Sequence, residues 1–343
     1  MLLLACSLVI VEVHRRQGPL CCRWGLEAST DDSCSAIPAA RFGRSEQLMS
    51  PSAVLVATAK RAAATGGDVC AGRPRTVVSM TTFFGRMQST AQVIDSILEQ
   101  SCRPDAIYVF VSLVPRIDRD FRRNHSRALP RNLTAVAEPL RRSPIVDVRF
   151  ITSPADDYGP ATKLLAALHL ERDGETHLVT VDDDTLYHTD MILALSLAAR
   201  NAPTPVAVGF ACEEYGFTPR DGNVVVHARI RRRCSGEAVE GTCHGWLDGV
   251  SGVLFQRSYI PDSIFNYSAH PKECVLHDDV WFAGMVPYLI TPGFKSRTVR
   301  YIEADGANRP HSSSFFQTQK LRAKGIDPVQ ICASSFPALT RIR

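Results

Sequence analysis

One stretch limits what this chain can fold into more than any other: His177-Leu-Val-Thr-Val-Asp182-Asp183-Asp184-Thr185. Leu178 to Val181 is rich in β-branched residues, as a buried strand is. The run then breaks into three adjacent carboxylates. In open α/β sheets the carboxyl ends of strands are where ligands bind. Three like charges beside a core are costly unless solvated or neutralised. A divalent cation would neutralise them, and hard oxygen ligands suit manganese or magnesium. A solvated acidic turn that caps the next helix is the simpler alternative.

The chain before this stretch alternates between strand and helix patterns. Arg75 to Thr82 reads as a strand, with Phe84-Gly85 as the turn after it. Gln88 to Gln100 places Val93, Ile94, Ile97 and Leu98 at helical spacing, with Ser89 as N-cap. Cys102-Arg-Pro-Asp105 stops that helix, and Ala106 to Leu113 is a second strand. This order implies a right-handed parallel βαβ unit. Ile145 to Thr152 is a third strand, and Ala161 to Leu170 a helix opened by Pro160. His177 to Val181 is the fourth strand, Thr189 to Ala199 a helix and Val206 to Ala211 a fifth strand. The pattern predicts an α/β fold, a mostly parallel sheet with helices on both faces. After Ala211 the chain reads as irregular, with Gly-rich turns, a basic run from Arg229 to Arg233 and clustered Cys. Such insertions shape substrate clefts on rigid scaffolds.

Residues 1–72 form a separate N-terminal part, and the folded domain is expected over residues 73–343. The apolar run after Met1 is too short for a span of roughly 20 residues. It is similar to the apolar part of a signal peptide or a shortened signal anchor. The basic pair Arg15-Arg16 follows it, which argues for a cytoplasmic location instead. Residues 17 to 72 read as a linker or stem, with a helix over Ser52 to Ala64. Three N-x-[ST] sequons, at Asn124, Asn132 and Asn266, permit a secretory-pathway location in the ER or Golgi, with membrane association through the N-terminus. The eleven Cys are many for a cytosolic enzyme, and Cys212, Cys234, Cys243 and Cys274 could form one or two disulfides. A net charge of +4 is too small to argue for a nucleic-acid partner.

Four further stretches could carry chemistry. Asp157-Tyr-Gly-Pro-Ala-Thr-Lys163 forces a tight turn into a helix, whose N-terminus favours anions, and Lys163 could reach a phosphate. Trp246-Leu-Asp248-Gly249 joins an indole that could stack on a sugar to an acid that could bind hydroxyls. A core Trp at a strand bend is the alternative. His277-Asp278-Asp279-Val-Trp281 offers a general base for an incoming hydroxyl, or acids that merely favour a helix start. His311 could complete a metal site.

These stretches together resemble nucleotide-sugar glycosyltransferases of the GT-A fold, of the inverting, family-2-like kind. The likeness covers about residues 73 to 311. Val77 to Thr82 with Arg86 resembles the first nucleotide-binding strand and loop. Asp157 to Lys163 resembles the loop and helix that contact the nucleotide. Val181 to Asp184 resembles the D-x-D metal motif, and His277 to Trp281 the acidic pair that holds the catalytic base. The resemblance implies a Rossmann-type sheet with an irregular acceptor-side region. It implies transfer of a hexose or N-acetylhexosamine from a nucleoside diphosphate sugar to a hydroxyl of a glycan, glycolipid or protein. Asp184 would bind Mn2+ or Mg2+ with Asp182 and His311. Thr81, Arg86, Asp157, Lys163, Asp182 and Asp183 would face the nucleotide. Asp279, or else Asp278, would be the base, and Trp246, Asp248 and Trp281 would meet the acceptor. A retaining transferase, a nucleotidyltransferase and a non-catalytic carbohydrate-binding protein remain as alternatives.

Overall fold

The structure, a computed structural model, describes residues 57, 70–113, 115–117, 132–202, 207–210, 212–220, 223–232, 241–243, 246–286, 288–290, 297–298, 301–302, 308–309 and 313–336. The expected Ser52 to Ala64 helix falls outside these residues but for position 57, as do Asn124 and His311.

The strands that build the site are β1 (Thr76–Phe83), β2 (Ala106–Ser112), β3 (Val146–Ile151), β4 (His177–Thr180) and β5 (Thr185–Leu186). Then come β6 (Ala207–Gly209), β7 (Cys212–Arg220), β8 (Asn223–Arg232), β9 (Gly241–Cys243), β10 (Trp246–Leu247), β11 (Val253–Gln256) and β12 (Tyr288–Ile290). Eight of them form one sheet in the order β3-β2-β1-β4-β11-β6-β12-β9. β1, β2, β3 and β4 are mutually parallel, and β12 is parallel to β6. β11 inserts antiparallel between β4 and β6. This is the α/β, mostly parallel sheet expected from the sequence, with one late strand threaded through its centre.

Strand alternation sorts the core into two layers. Val77, Leu178 and Phe255 face the Thr162–Leu170 helix, against Leu164, Leu165 and Leu168. Val78, Met80, Val179 and Leu254 face the opposite way, toward the Met87–Leu98 and Met191–Asn201 helices and their Val93, Ile94, Ile97, Ile192 and Leu195. Both faces of β1 and β4 are thus dry, so the strands read as near-continuous apolar runs. Each such buried side chain contributes about 1.5–3 kcal/mol. Arg75 clamps the start of β1 to the end of the Thr162–Leu170 helix through Glu171, at 2.9 and 3.1 Å, and the Tyr108 hydroxyl donates to the same carboxylate at 2.6 Å.

Several local expectations are corrected. Ser89 is not the N-cap of its helix, because a single 3-10 turn, Phe84–Arg86, precedes Met87 and moves the start upstream. Ser89 lies inside the first turn and donates its hydroxyl to the Arg86 carbonyl. The region after Ala211 is not simply irregular. β7 and β8 pair antiparallel along their length, with a register shift between Gly216 and Phe217. Asp221-Gly222, which joins them, is a hairpin signal in the sequence. Among the described residues Cys70 pairs with Cys102, and Cys274 pairs with Cys332 rather than within its own cluster; the expected pairing of Cys212, Cys234 and Cys243 lies outside the described side chains. Cys102 thereby anchors the residues just before β1 at the point where the Met87–Leu98 helix has ended. In the chain-entropy picture, loops of this size are worth about 4 kcal/mol each.

His177 opens β4 and is 3 % exposed. Burial, with Arg200 and Arg73 nearby, lowers its imidazole from 6.5 to about 4. As pH falls the unfolded chain therefore takes up this proton first. The contribution is complete above pH 6.5 and is lost as pH falls toward about 4. The shift corresponds to about 3 kcal/mol. Urea unfolding at about pH 7 and about pH 4.5 should show a larger acid loss in the wild type than in His177→Gln. Equal losses in the two proteins would refute this.

Candidate active site

β4 carries the chain to the carboxyl edge of the sheet, between β1 and β11, and releases it into Asp182-Asp183-Asp184. The three carboxylates do not share one environment. Asp183, the middle one, turns inward and is 4 % exposed. Its Oδ1 accepts from Arg86 Nη1, and its Oδ2 from the Thr82 hydroxyl at 2.7 Å. Arg86 is itself 6 % exposed, and its Nη2 lies 3.5 Å from Asp184 Oδ2. One guanidinium at the end of the β1 loop thus serves two of the three acids. Burial raises the Asp183 carboxyl, against the pull of Arg86 and Thr82. Burial also raises Asp184; Arg86 opposes it and the neighbouring Asp183 and Asp182 add to it, which leaves the carboxyl pushed up to about 7. Asp184 is therefore short of positive charge.

Asp182 is the most open of the three, its side chain about a third exposed at 32 %. Its Oδ1 accepts from Lys163 Nζ at 2.8 Å, and its own N–H donates to the Tyr187 hydroxyl at 2.8 Å. Lys163 stands in the first turn of the Thr162–Leu170 helix. Gly159, at φ +66°, permits the turn that starts it, and Pro160 occupies an initial helical position as expected. The same Nζ lies 3.0 Å from Asp278 Oδ2. Burial alone would lower this lysine's pKa, but Asp182, Asp278 and Asp279 push it well above the ordinary value. The two acidic stretches, far apart in sequence, meet at this one ammonium.

Asp278 and Asp279 open the short Asp278–Ala283 helix. Asp278 is buried at 6 % exposure and engaged by Lys163. Asp279 is partly exposed, and its Oδ2 accepts from the Gly249 N–H at 3.1 Å. Burial and then Asp278 raise the Asp279 carboxyl well above the usual carboxylate range, against Lys163, with smaller contributions from Asp182 and Asp248. A Cβ on Gly249 would sit 2.6 Å from Asp279 Oδ1, so the glycine is a steric requirement of this seat. Asp248 caps the following turn, accepting from Val250 N–H at 3.4 Å, and lies near Asp279.

Other candidates are placed elsewhere. Trp281 is fully buried, its indole N–H donating to the Ile264 carbonyl at 3.2 Å, and it packs edge-on against Tyr267, His270 and Phe336. Trp246 is 4 % exposed within the same core layer. Neither indole offers a face for a sugar to stack on, which corrects the acceptor role expected of both. Asp157 is 2 % exposed; its Oδ1 accepts from the Gly159 N–H of its own turn at 2.8 Å and its Oδ2 from the Ser112 hydroxyl of β2 at 2.9 Å. Thr81 donates to the Phe110 carbonyl at 3.3 Å. The threonine that reaches the acidic cluster is Thr82, which sequence reasoning passed over. Tyr187 and Gly249 were also missed as contacts. The alternation of β1, which turns Thr82 to the opposite face from Thr81, was the available signal.

The donor set suits a hard divalent cation. Asp183 is used up internally, which leaves Asp184 and an oxygen of Asp182 as candidate ligands. The described residues contain no group of three or more ligand side chains arranged to cage a metal. Magnesium-type sites commonly use one or two carboxylates and take the rest from substrate phosphates and water.

Arg86→Met would leave Asp183 buried without its cation. Loss of one partner of a buried pair costs about 3–5 kcal/mol. A urea-unfolding series should show a drop of that size, and a change below about 1 kcal/mol would contradict the pairing.

No protein-family profile matches the chain, and no curated protein matches it in sequence. Among solved structures it is similar to the mannosyltransferase PcManGT from Pyrobaculum calidifontis in complex with GDP-Man and Mn2+, at 18 % identity and TM-score 0.36, over 74 % of this chain and 66 % of that one. It is similar to S. aureus TarS in complex with UDP, at 12 % identity and TM-score 0.37, over 63 % and 59 %. It is similar also to 4-diphosphocytidyl-2C-methyl-D-erythritol synthase from Anaerococcus prevotii DSM 20548, at 11 % identity and TM-score 0.37, over 73 % and 99 %. The chemistry of the site rests on its own residues.

Proposed function

We propose that this chain is a metal-dependent glycosyltransferase that moves a sugar from a nucleoside diphosphate sugar to a hydroxyl acceptor with inversion. The observation that carries this reading is the convergence of two acidic sets on Lys163: Asp182 at the end of β4 and Asp278 beside Asp279. Such a transfer needs a donor half and an acceptor half, and the adjacency of the two acidic sets supports assigning one to each. Asp184 and Asp182 would hold Mn2+ or Mg2+. When bound, the cation supplies positive charge against the departing diphosphate.

The chain's own residues do the rest. Arg86 and Thr82 fix Asp183 and so set the direction of its neighbours. Asp279 takes the proton from the acceptor hydroxyl as it attacks the anomeric carbon. Its raised pKa makes it a stronger base than a free carboxylate once ionised. The Gly249 N–H holds one of its oxygens in place. A nucleotidyltransferase would use a Gly- and Lys/Arg-rich loop after the first strand to cradle phosphates. The one arginine of that loop, Arg86, is committed to Asp183 and Asp184.

A location in the secretory pathway is part of the proposal. Two disulfides and the exposed sequon residues Asn132 and Asn266 support it. Among the described residues no helix is long and apolar enough to cross a membrane.

A hydrolysis screen of nucleotide sugars with manganese should identify a donor. Calorimetry should then show UDP binding that requires manganese and is abolished in Asp184→Ala. Asp279→Asn should lower kcat by about 10²–10⁴-fold with UDP affinity little changed. Manganese-independent binding, or an unaltered kcat in Asp279→Asn, would refute the assignment. Product NMR reads the stereochemistry, and a retained anomeric configuration would remove Asp279 as the base.

A further inference from the structure

We propose that Lys163 is a positioning residue: it ties the helix start that activates the acceptor to the strand end that binds the donor, and it does not serve as a phosphate contact. This rests on the transferase reading for its catalytic consequence. Lys163 is 4 % exposed, so its ammonium is inside the protein wall. An ammonium has three N–H donors. Lys163 directs its charge at two carboxylates, Asp182 Oδ1 at 2.8 Å and Asp278 Oδ2 at 3.0 Å. The backbone that carries it is also fixed, since the Ser79 hydroxyl of β1 donates to the Lys163 carbonyl. The lysine is thus fastened to the central strand at one end and to both acidic stretches at the other.

The consequence falls on Asp279. It is the next residue after Asp278 and shares the first turn of the same helix. Without Lys163, Asp182 and Asp278 would face each other across a buried gap with no counter-charge between them. Repulsion would push the helix start away from β4 and carry Asp279 off the Gly249 N–H. The damage would therefore be to acceptor activation, transmitted through the charge on Asp278. Removing that charge as well should undo much of it.

A double-mutant cycle on the full chain tests this, with Lys163→Met, Asp278→Asn and the combined variant compared to wild type. Lys163→Met should lower kcat by about 100-fold while donor KM stays within about fivefold. The combined variant should recover at least about tenfold in kcat over Lys163→Met. A combined variant no better than Lys163→Met overturns the proposal. So does a Lys163→Met enzyme with donor KM raised about tenfold and kcat intact, the signature of a phosphate contact. The same four proteins are compared by thermal unfolding, where the combined variant should regain the midpoint lost by Lys163→Met. If Lys163→Met is insoluble, recovery of soluble protein in the combined variant supports the tie, and continued insolubility counts against it. Thermal coupling with no transfer by the wild type would sink the transferase reading and leave the tie between the two acidic stretches standing.

Discussion

Charge compensation at the carboxyl edge of the sheet is the constraint on which the site depends. Five aspartates, Asp182, Asp183, Asp184, Asp278 and Asp279, are gathered there around two buried cations, Arg86 and Lys163. The two cations divide the acids between them. Arg86 reaches from the turn after β1 and takes the inner pair. Lys163 reaches from the helix after β3 and takes the outer acid and the distant one. Burial first, and then the neighbouring carboxylates, displace Asp184 and Asp279 upward in spite of the two cations. A buried acid that remains under-compensated costs stability, and proteins retain such groups mainly where they have work to do.

The sheet makes this gathering affordable. β1 and β4 are parallel neighbours, so both end at the same edge, and the residues that follow them are brought together without long loops. β11 then delivers the Asp248-Gly249 turn to that edge from the opposite chain direction. Both faces of the central strands are covered by helices, so the strands themselves have no freedom to shift register. The three acids Asp182 to Asp184 directly follow one of these covered strands.

Much of this was legible in the sequence, for identifiable reasons. The switch from Leu178-Val-Thr-Val181 to three aspartates marks a strand end in any context, and Gly159-Pro160 marks a helix start. The α/β order followed from alternating patterns with clear stops. The roles of single polar side chains were less legible. Lys163 and Asp157 read as residues facing a nucleotide, yet both are buried, and Val275, distant in sequence, packs against the Gly159 turn between them. Trp246 read equally well as a sugar platform or as core, and Trp281 met the acceptor only by resemblance, because periodicity tells which face a side chain occupies but not what covers it. Disulfide pairing was hidden for the same reason. Cys274 meets Cys332 of the Pro328–Ser334 helix, and no spacing rule connects them.

That last bond has a bearing on how the molecule is made. The strands that present Asp182 to Asp184 are complete, with their helices, once residue 201 has been synthesised, apart from the late insertion of β11. The turn holding Asp278 and Asp279 is packed against the Pro328–Ser334 helix and locked to it through Cys332. Thr318 also meets His277 at 3.1 Å, immediately beside the acidic pair. During translation the strand end bearing Asp182 to Asp184 can therefore fold early, as N-terminal units do. The seat of Asp278 and Asp279 must wait until Cys332 has been synthesised. A chain halted before that point would carry the acidic strand end without the covalent support of the second acidic pair.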